Sequence, residues 1–211
     1  MERELLNKHG QKMGRKGLIM RKRIMDTVLE LIRDSSYKDL TVAEVAYQAG
    51  TSTSTFYVYF ADIEDVLFAC VEEADQDLNQ IMEVLNQDWS RGNLELKVSE
   101  FVDTYMRIWE KHSVELRIRN LEADQGNLRF LQYRLDSTKD MLECLEKKVA
   151  QAQPQASNPL SLALVLFTSM ERVAGVNYRA IGPTRISRKK LNNAIKELWM
   201  MLLQKGPVER A

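Results

Sequence analysis

The sequence is poor in residues that interrupt helices and in residues that cross-link chains. Its 211 residues include only 9 glycines, 4 prolines and 2 cysteines. So few glycines and prolines argue against a loop-rich β fold and permit long helices. Cys70 and Cys144 both lie inside helical patterns. Because two cysteines make no disulfide framework, we expect free thiols in a reducing compartment.

The sequence also lacks a long hydrophobic run. The longest one, Pro159–Met170, contains serine and threonine and ends at Glu171 and Arg172. It falls short of the roughly 20 residues that a membrane span needs. Near the basic N-terminus, the apolar stretch Leu18–Met20 is too short for a signal peptide. We therefore expect a soluble cytoplasmic protein with no membrane contact.

Signatures of catalysis and of metal binding are missing as well. The only histidines are His9 and His112, and the acids near His112 do not have the spacing of a metal site. We find no phosphate-binding glycine loop, no serine-nucleophile elbow and no Cys/His pairing typical of a nucleophile. The sequence therefore predicts no metal, no cofactor and no enzymatic activity.

Charge is balanced overall but unevenly distributed. The 30 basic and 30 acidic residues cancel, yet eight basic residues precede Ile24, opposed only by Glu2 and Glu4: Arg3, Lys8, Lys12, Arg15, Lys16, Arg21, Lys22 and Arg23. Residues 61–90 contain no lysine or arginine and nine acids. A basic cluster of this kind neutralises DNA phosphates, although a solvated tail has the same composition. We expect any polyanion-binding surface to end near Phe60.

Apolar residues recur at three- and four-residue spacing along almost the whole chain. This period predicts an all-α protein of about nine helices. We expect a three-helix domain with its basic tail at residues 1–62 and a larger helical bundle at 63–211. The first helix is predicted at Gly17–Asp34, and a fourth, capped by Asp62, is expected to continue to about Asn86.

The segment Thr41–Phe60 predicts two short helices joined by a tight turn. Thr41 is an N-cap, and Glu44 stands where it can complete a capping box. Gly50 tolerates the left-handed backbone that ends a helix, and Ser52 can cap the next one. Behind the longer first helix, these two form a helix-turn-helix unit.

The third predicted helix, about Thr53–Phe60, is unusually rich in hydroxyl groups. Ser52, Thr53, Ser54 and Thr55 occupy its N-terminal end, and Tyr57 and Tyr59 follow. Small hydroxyl side chains let a backbone approach a DNA groove, and the positive end of a helix suits a phosphate. By themselves these residues also fit a polar loop, and either tyrosine also fits packing on the first helix.

This segment resembles the N-terminal region of the tetracycline-repressor (TetR) family. The matching residues are Leu40–Ala46, Ala49–Ser52, Thr55–Tyr57, Tyr59, Phe60, Glu64 and Leu67. Thr51, Tyr59 and Ile63 depart from the residues that are usual in the family. Beyond Leu67 the chain is similar to the family only in length and helical character.

The resemblance implies a DNA-binding domain that reads a palindromic operator and a second domain that binds a small effector and dimerises through its last two helices. Carried over by position, Ser52–Thr55 would face the major groove. Thr41, Tyr57 and Tyr59 would hold phosphates. By their charge, Arg21, Lys22 and Arg23 are added to the predicted DNA-binding residues.

Aromatic and sulfur-bearing residues of the C-terminal part are candidates for an effector cavity. These are Phe101, Tyr105, Trp109, Tyr133, Phe167 and Met170, and ordinary core packing explains each of them equally well. Glu171 and Arg172 interrupt an apolar helix, so they either pair across a dimer interface or face a ligand. Such a cavity suits a hydrophobic effector.

Two apolar helices near the C-terminus, Pro159–Arg179 and Leu191–Leu202, predict a homodimer, since pairing them buries their excess apolar surface. The leading hypothesis is a ligand-responsive DNA-binding regulator that acts as a repressor. The alternative is a helical small-molecule carrier or interaction protein that does not bind DNA.

Overall fold

A computed structural model describes residues 8, 10–33, 37–176 and 187–204. The predicted all-α class is confirmed, because the described residues form ten α-helices and two 3-10 turns and contain no strand. Contacts within the chain define two compact units, residues 1–74 and 75–211. The domain boundary expected from the sequence lies earlier, after residue 62. None of the described helices is long and apolar enough to cross a membrane.

The N-terminal unit contains four α-helices and one 3-10 turn: α1 Arg15–Leu31, the turn Tyr37–Asp39, α2 Val42–Gln48, α3 Thr53–Tyr59 and α4 Ile63–Ala74. α4 packs against α1, and α2 packs against both α1 and α3. A small apolar core lies between them, with side chains from each helix fully buried: Ile24, Val28, Val45, Phe56, Phe60 and Val66.

The predicted caps of this unit are present. The Thr41 hydroxyl accepts a hydrogen bond from the Glu44 amide at 3.2 Å, and α2 begins there. Asp62 accepts from the Asp65 amide at 2.8 Å, and the Asp65 carboxylate accepts in return from the Ala61 amide at 3.1 Å. This reciprocal pair satisfies two amides that would otherwise lack partners at the start of α4.

The C-terminal unit begins with the 3-10 turn Asp75–Leu78 and continues with six α-helices: α5 Asn79–Leu85, α6 Leu94–Lys111, α7 Ser113–Asp124, α8 Leu128–Ala152, α9 Pro159–Val176 and α10 Arg188–Leu203. Asn158 caps α9, accepting from the Ser161 amide at 3.0 Å. The expected end of this helix at Arg179 lies outside the described residues.

The expectation of one helix from Asp62 to Asn86 was wrong. The chain forms α4, then a 3-10 turn, then α5 over this stretch. Within the turn, Asp75 binds Arg119 of α7, and Asp77 binds His112 at the junction of α6 and α7. These long-range pairings set the local backbone, and a tighter 3-10 turn accommodates them.

The core of the C-terminal unit is a continuous apolar cluster to which all six α-helices of the unit contribute. Its largest side chains meet edge to face, with ring centroids 5.5 Å apart for Phe101 and Trp199 and 5.6 Å apart for Tyr105 and Phe167. Gly175 lies so close to Trp109 that a Cβ at residue 175 would be 3.3 Å from the indole ring. This core positions the polar groups described below.

Candidate DNA-binding surface and effector-binding core

A Schellman motif joins α2 to α3. The Gly50 amide donates to the carbonyl of Tyr47 at 3.0 Å, and the Thr51 amide donates to the carbonyl of Ala46 at 2.9 Å. Gly50 has a φ of +65°, the left-handed conformation that this motif requires. The turn satisfies two carbonyls at the end of α2 and sets the direction in which α3 leaves.

The four hydroxyl residues at the start of α3 fall into two pairs. Ser52 caps the helix by accepting from the Thr55 amide at 3.1 Å, and its oxygen lies 3.0 Å from the Thr55 hydroxyl. Thr53 and Ser54 are exposed, and neither is bonded to another described residue. Ser52 and Thr55 therefore shape the helix end, whereas Thr53 and Ser54 present hydroxyl groups to the outside.

The two tyrosines of α3 lie in different surroundings. Tyr57 is 47% exposed, and its ring packs edge to face on the buried Phe56 at a centroid distance of 5.6 Å. Tyr59 is half-buried, and its hydroxyl would lie 3.6 Å from a Cβ on Gly17 of α1. Tyr57 thus faces outward, and Tyr59 packs on the first helix.

The basic residues Arg21, Lys22 and Arg23 all make contacts within the N-terminal unit. The Arg21 guanidinium lies 5.1 Å from the centre of the Phe60 ring, and Lys22 forms an ion pair with Glu73 at 2.6 Å. Burial opposes the charge of Lys22, but hydrogen bonds to Glu73 and to Asp26 raise its pKa on balance. Arg23 packs against the turn at Gly50.

Three further exposed residues lie on the same unit, and two of them belong to the basic cluster noted in the sequence. Arg15 and Lys16, in the first turn of α1, have no partner among the described residues, and Gly17 places that turn beside Tyr59. Tyr47 on α2 is 80% exposed. The 3.6-residue period of α1 and α2 was the available signal, since it puts these positions opposite the apolar stripe.

The predicted effector-cavity residues lie in the C-terminal core. Five of the six are buried in one cluster, and Tyr133 is half-buried on α8: the five are Phe101, Tyr105, Trp109, Phe167 and Met170. Burial is the largest cause that raises the pKa of Tyr105 far above its usual value, and the nearby Glu171 carboxylate contributes. The phenol therefore stays protonated next to a charged group.

That charged group belongs to a buried cluster around Arg119. The Arg119 side chain is almost completely buried, and it donates to Asp75 at 3.3 Å and to Glu171 at 2.9 Å. Its Nε donates to the Asn120 side chain at 3.2 Å. Burial raises the pKa of Asp75, although the adjacent Arg119 opposes this shift. Of the two open interpretations of Glu171 and Arg172, the structure pairs Glu171 within its own chain and leaves Arg172 exposed.

Family models match both units of the chain. Residues 24–70 match the model of bacterial regulatory proteins of the tetR family, and residues 81–206 match the model of the tetracyclin repressor-like C-terminal domain. The chain belongs to the TetR family. The resemblance noted over about Ile24–Leu67 is thereby confirmed, and a second family match covers residues 81–206 of the C-terminal unit.

Relatives of this TetR-family protein include regulators of fatty-acid metabolism. The fatty acid metabolism regulator protein of Bacillus subtilis is 27% identical over 128 residues, which are 58% of this chain and 62% of that protein. This chain therefore matches less than two thirds of the length of that curated relative.

Two solved structures share the fold. The fatty acid degradation regulator FadR of Bacillus halodurans has a TM-score of 0.65 at 18% identity, covering 95% of this chain and all of that one. FadR of Bacillus subtilis, solved in complex with stearoyl-CoA, has a TM-score of 0.63 at 17% identity, covering 88% of this chain and 98% of that one.

Family membership decides the general function. As a TetR-family protein, the chain is a ligand-responsive transcriptional regulator with a DNA-binding helix-turn-helix, and it is not an enzyme. The alternative of a helical carrier protein that does not bind DNA is set aside on the same ground.

Proposed function

We propose that this regulator binds a palindromic operator as a homodimer, represses transcription, and is released by a hydrophobic effector with a long acyl chain. The observation that carries the proposal is the pair of exposed hydroxyls on Thr53 and Ser54 at the start of a helix set by the Schellman turn. In a helix-turn-helix, the N-terminal residues of the second helix contact base edges in the major groove.

The proposed DNA contacts follow from exposure. Thr53 and Ser54 face the bases, and Tyr57 donates its hydroxyl to a phosphate. Ser52 and Thr55 act by holding the end of the helix. Thr41, exposed at the start of α2, keeps a hydroxyl proton for a phosphate, since its oxygen accepts the Glu44 amide.

Arg15 and Lys16 supply exposed positive charge beside this helix. Lys22 forms ion pairs with Glu73 and Asp26. Because these carboxylates already neutralise its charge in part, Lys22 should contribute less to phosphate binding. Arg21 and Arg23 support α3 and the turn from behind through Phe60 and Gly50.

The dimer proposal rests on apolar surface that one chain leaves exposed. On α9 these side chains are Leu160, Leu162, Leu164 and Val165, and on α10 they are Leu198 and Met201. The α9 hydroxyls of Thr168 and Ser169 donate to carbonyls of their own helix, at 2.9 Å and 2.8 Å, so they need no partner across an interface. Two copies of this surface would bury each other.

The effector proposal combines the apolar core with one relative. A structural neighbour was solved with stearoyl-CoA, and the C-terminal unit of this chain holds a large aromatic and aliphatic cluster. A long acyl chain matches that cluster chemically. The effector acts by binding one arrangement of the two recognition helices better than the other, and operator binding requires them about 34–36 Å apart.

The test uses the purified protein and the DNA upstream of its own gene, with binding followed by fluorescence anisotropy. We expect specific binding to one palindromic site and a loss of affinity when stearoyl-CoA is added. The double variant T53A/S54A should lose specific binding while keeping its helical content, and the matched pair N79A/Q80A on α5 should bind as wild type. Equal affinity of wild type and T53A/S54A for the operator would overturn the proposed contacts.

A further inference from the structure

One buried carboxylate oxygen in the C-terminal unit lacks a hydrogen-bond donor. Oδ1 of Asp75 accepts from Arg119, whereas Oδ2 is buried and has no partner at hydrogen-bond geometry among the described residues. The hydroxyls of Ser137 and Tyr133 both lie near enough to lower the pKa of Asp75, but neither bonds to Oδ2, and Ser137 donates to the carbonyl of Arg134 at 3.3 Å. A buried carboxylate oxygen without a hydrogen-bond donor lowers the stability of the folded protein, so its presence needs an explanation.

The charges around this oxygen decide what it accepts. Arg119 carries one positive charge, and Asp75 and Glu171 carry two negative charges at short range. A further anion would be repelled by the excess carboxylate, whereas a neutral or positive donor would complete the coordination of Asp75. The chemistry therefore selects for a hydrogen-bond donor and against a carboxylate.

The cluster also lies beside the apolar core. Its members come from separate elements: Asp75 from the 3-10 turn, Arg119 from α7 and Glu171 from α9. Tyr105 of α6 joins the two regions, because its pKa responds to Glu171 and Arg119 while its ring packs on Phe167. An amphipathic molecule with its tail in the aromatic cluster would have its polar end here.

We propose that the Asp75–Arg119–Glu171 cluster is the head-group site of the effector, and that Oδ2 of Asp75 accepts a hydrogen bond from an uncharged or cationic N–H or O–H group. The proposal rests on the effector-binding role proposed above. It extends that role by naming the polar group that the site recognises. A coenzyme A thioester meets the requirement through the amide N–H groups of the arm next to its thioester.

The test compares head groups on one chain length. Four probes share a ten-carbon chain: decanamide and 1-decanol donate a hydrogen bond, methyl decanoate only accepts, and decanoate is an anion. Binding to the full-length protein is measured by isothermal titration calorimetry. We expect the two donors to bind about tenfold tighter than the ester and the carboxylate, as one hydrogen bond to a charged group would give.

Variants assign the preference to Asp75. In D75N the tenfold tighter binding of the donors should disappear. The control is D77N, which changes another acid of the same turn; because Asp77 bonds to His112, the preference for donors should remain in this variant. Should D75N fail to fold, the wild-type series decides alone: an ester that binds as tightly as the amide overturns the proposal, as does absence of binding by all four probes. Donors that bind as expected without changing operator affinity would instead contradict the proposed repressor mechanism and leave the head-group site standing.

Discussion

The guanidinium of Arg23 occupies the space that a side chain on Gly50 would need. A Cβ built at residue 50 would lie 2.7 Å from Nη2 of Arg23 and 3.3 Å from its Cζ. Two separate constraints therefore act on this glycine, its left-handed backbone and the packing of Arg23 across the turn. The angle between α2 and α3 depends on both.

The variant G50A should destabilise the N-terminal unit by about 1–2 kcal/mol from the backbone alone, with an additional steric cost from Arg23. The double variant R23A/G50A should recover the steric part only. All three tryptophans (Trp89, Trp109 and Trp199) lie in the C-terminal unit. Urea unfolding followed by circular dichroism, but not by tryptophan fluorescence, should report the change.

The control for this prediction is G92A. Gly92 has no positive φ, and a Cβ there would meet nothing within 4 Å. Its effect should stay within about 0.5 kcal/mol. A G50A protein as stable as G92A would show that the turn does not need its glycine.

The hydroxyl residues of α3 should separate in their effects. S54A should weaken specific operator binding by about 1–3 kcal/mol with little change in stability, since Ser54 is exposed and bonds to no described residue. S52A should instead cost about 0.5–2 kcal/mol of stability through loss of the cap to the Thr55 amide. Anisotropy titration and thermal unfolding of both variants measure the two effects, and the reversed pattern would refute the assignment.

The charges at the start of α1 should determine the salt dependence of DNA binding. R15Q and K16Q should each reduce the slope of log affinity against log salt by about 1, uniformly across DNA sequences. K22Q should change the slope less, because Glu73 lies 2.6 Å from the Lys22 ammonium. Titrations at several salt concentrations provide the slopes, and a larger change for K22Q than for K16Q would contradict the prediction.

The exposed apolar face of α10 predicts how the dimer can be broken. Leu198 and Met201, the latter 69% exposed, stand three residues apart on one side of the helix. L198E/M201E should shift the protein from dimer to monomer in sedimentation at micromolar concentration. L128E changes an exposed leucine at the start of α8 and should leave the dimer intact; a wild-type protein that sediments as a monomer would reject the interface.

His112 predicts a pH dependence of stability. Its pKa is raised, first by the hydrogen bond to Glu115 and then, against the effect of burial, by the one to Asp77 at 2.8 Å. A raised folded pKa means that the protonated histidine stabilises the folded state at low pH, and this contribution is lost as pH rises through the folded value. Asp77, whose pKa is lowered by Lys111 and His112, titrates far below this window.

The destabilisation caused by H112Q should therefore be largest at pH values below the ordinary histidine pKa and shrink as the pH rises through the raised folded pKa of His112. Urea unfolding followed by tryptophan fluorescence measures it in the C-terminal unit. E115Q removes the leading cause of the shift and should flatten the difference. Parallel stability curves for wild type and H112Q would rule out the coupling.

Local signals predicted the helix-turn-helix unit almost to the residue. The signals come from Thr41, Gly50 and Ser52, which act on backbone groups only a few residues away. Their effects can therefore be predicted without knowing the tertiary structure. The break between α4 and α5 was missed because Asp75 binds Arg119, 44 positions later in the chain.

The roles of individual charged and aromatic side chains were harder to predict for the same reason. Lys22 is a residue type that often binds phosphate, but the fold places Glu73 beside it, which the sequence does not reveal. Tyr57 and Tyr59 have the same residue type, and only the position of Gly17 separates them. No periodic pattern distinguishes a residue that lines a cavity from one that fills the core, as Phe101 and Phe167 illustrate.

The Arg119 cluster constrains how this protein can diverge. Loss of the guanidinium leaves Asp75 and Glu171 buried without a counterion, and loss of either acid removes half of its compensation. Single changes at these positions are therefore costly, whereas joint replacement by apolar residues is tolerable. Among descendants of a common ancestor, the residues at positions 75, 119 and 171 should thus be kept or replaced together. Descendants in which all three are replaced should respond to a different effector.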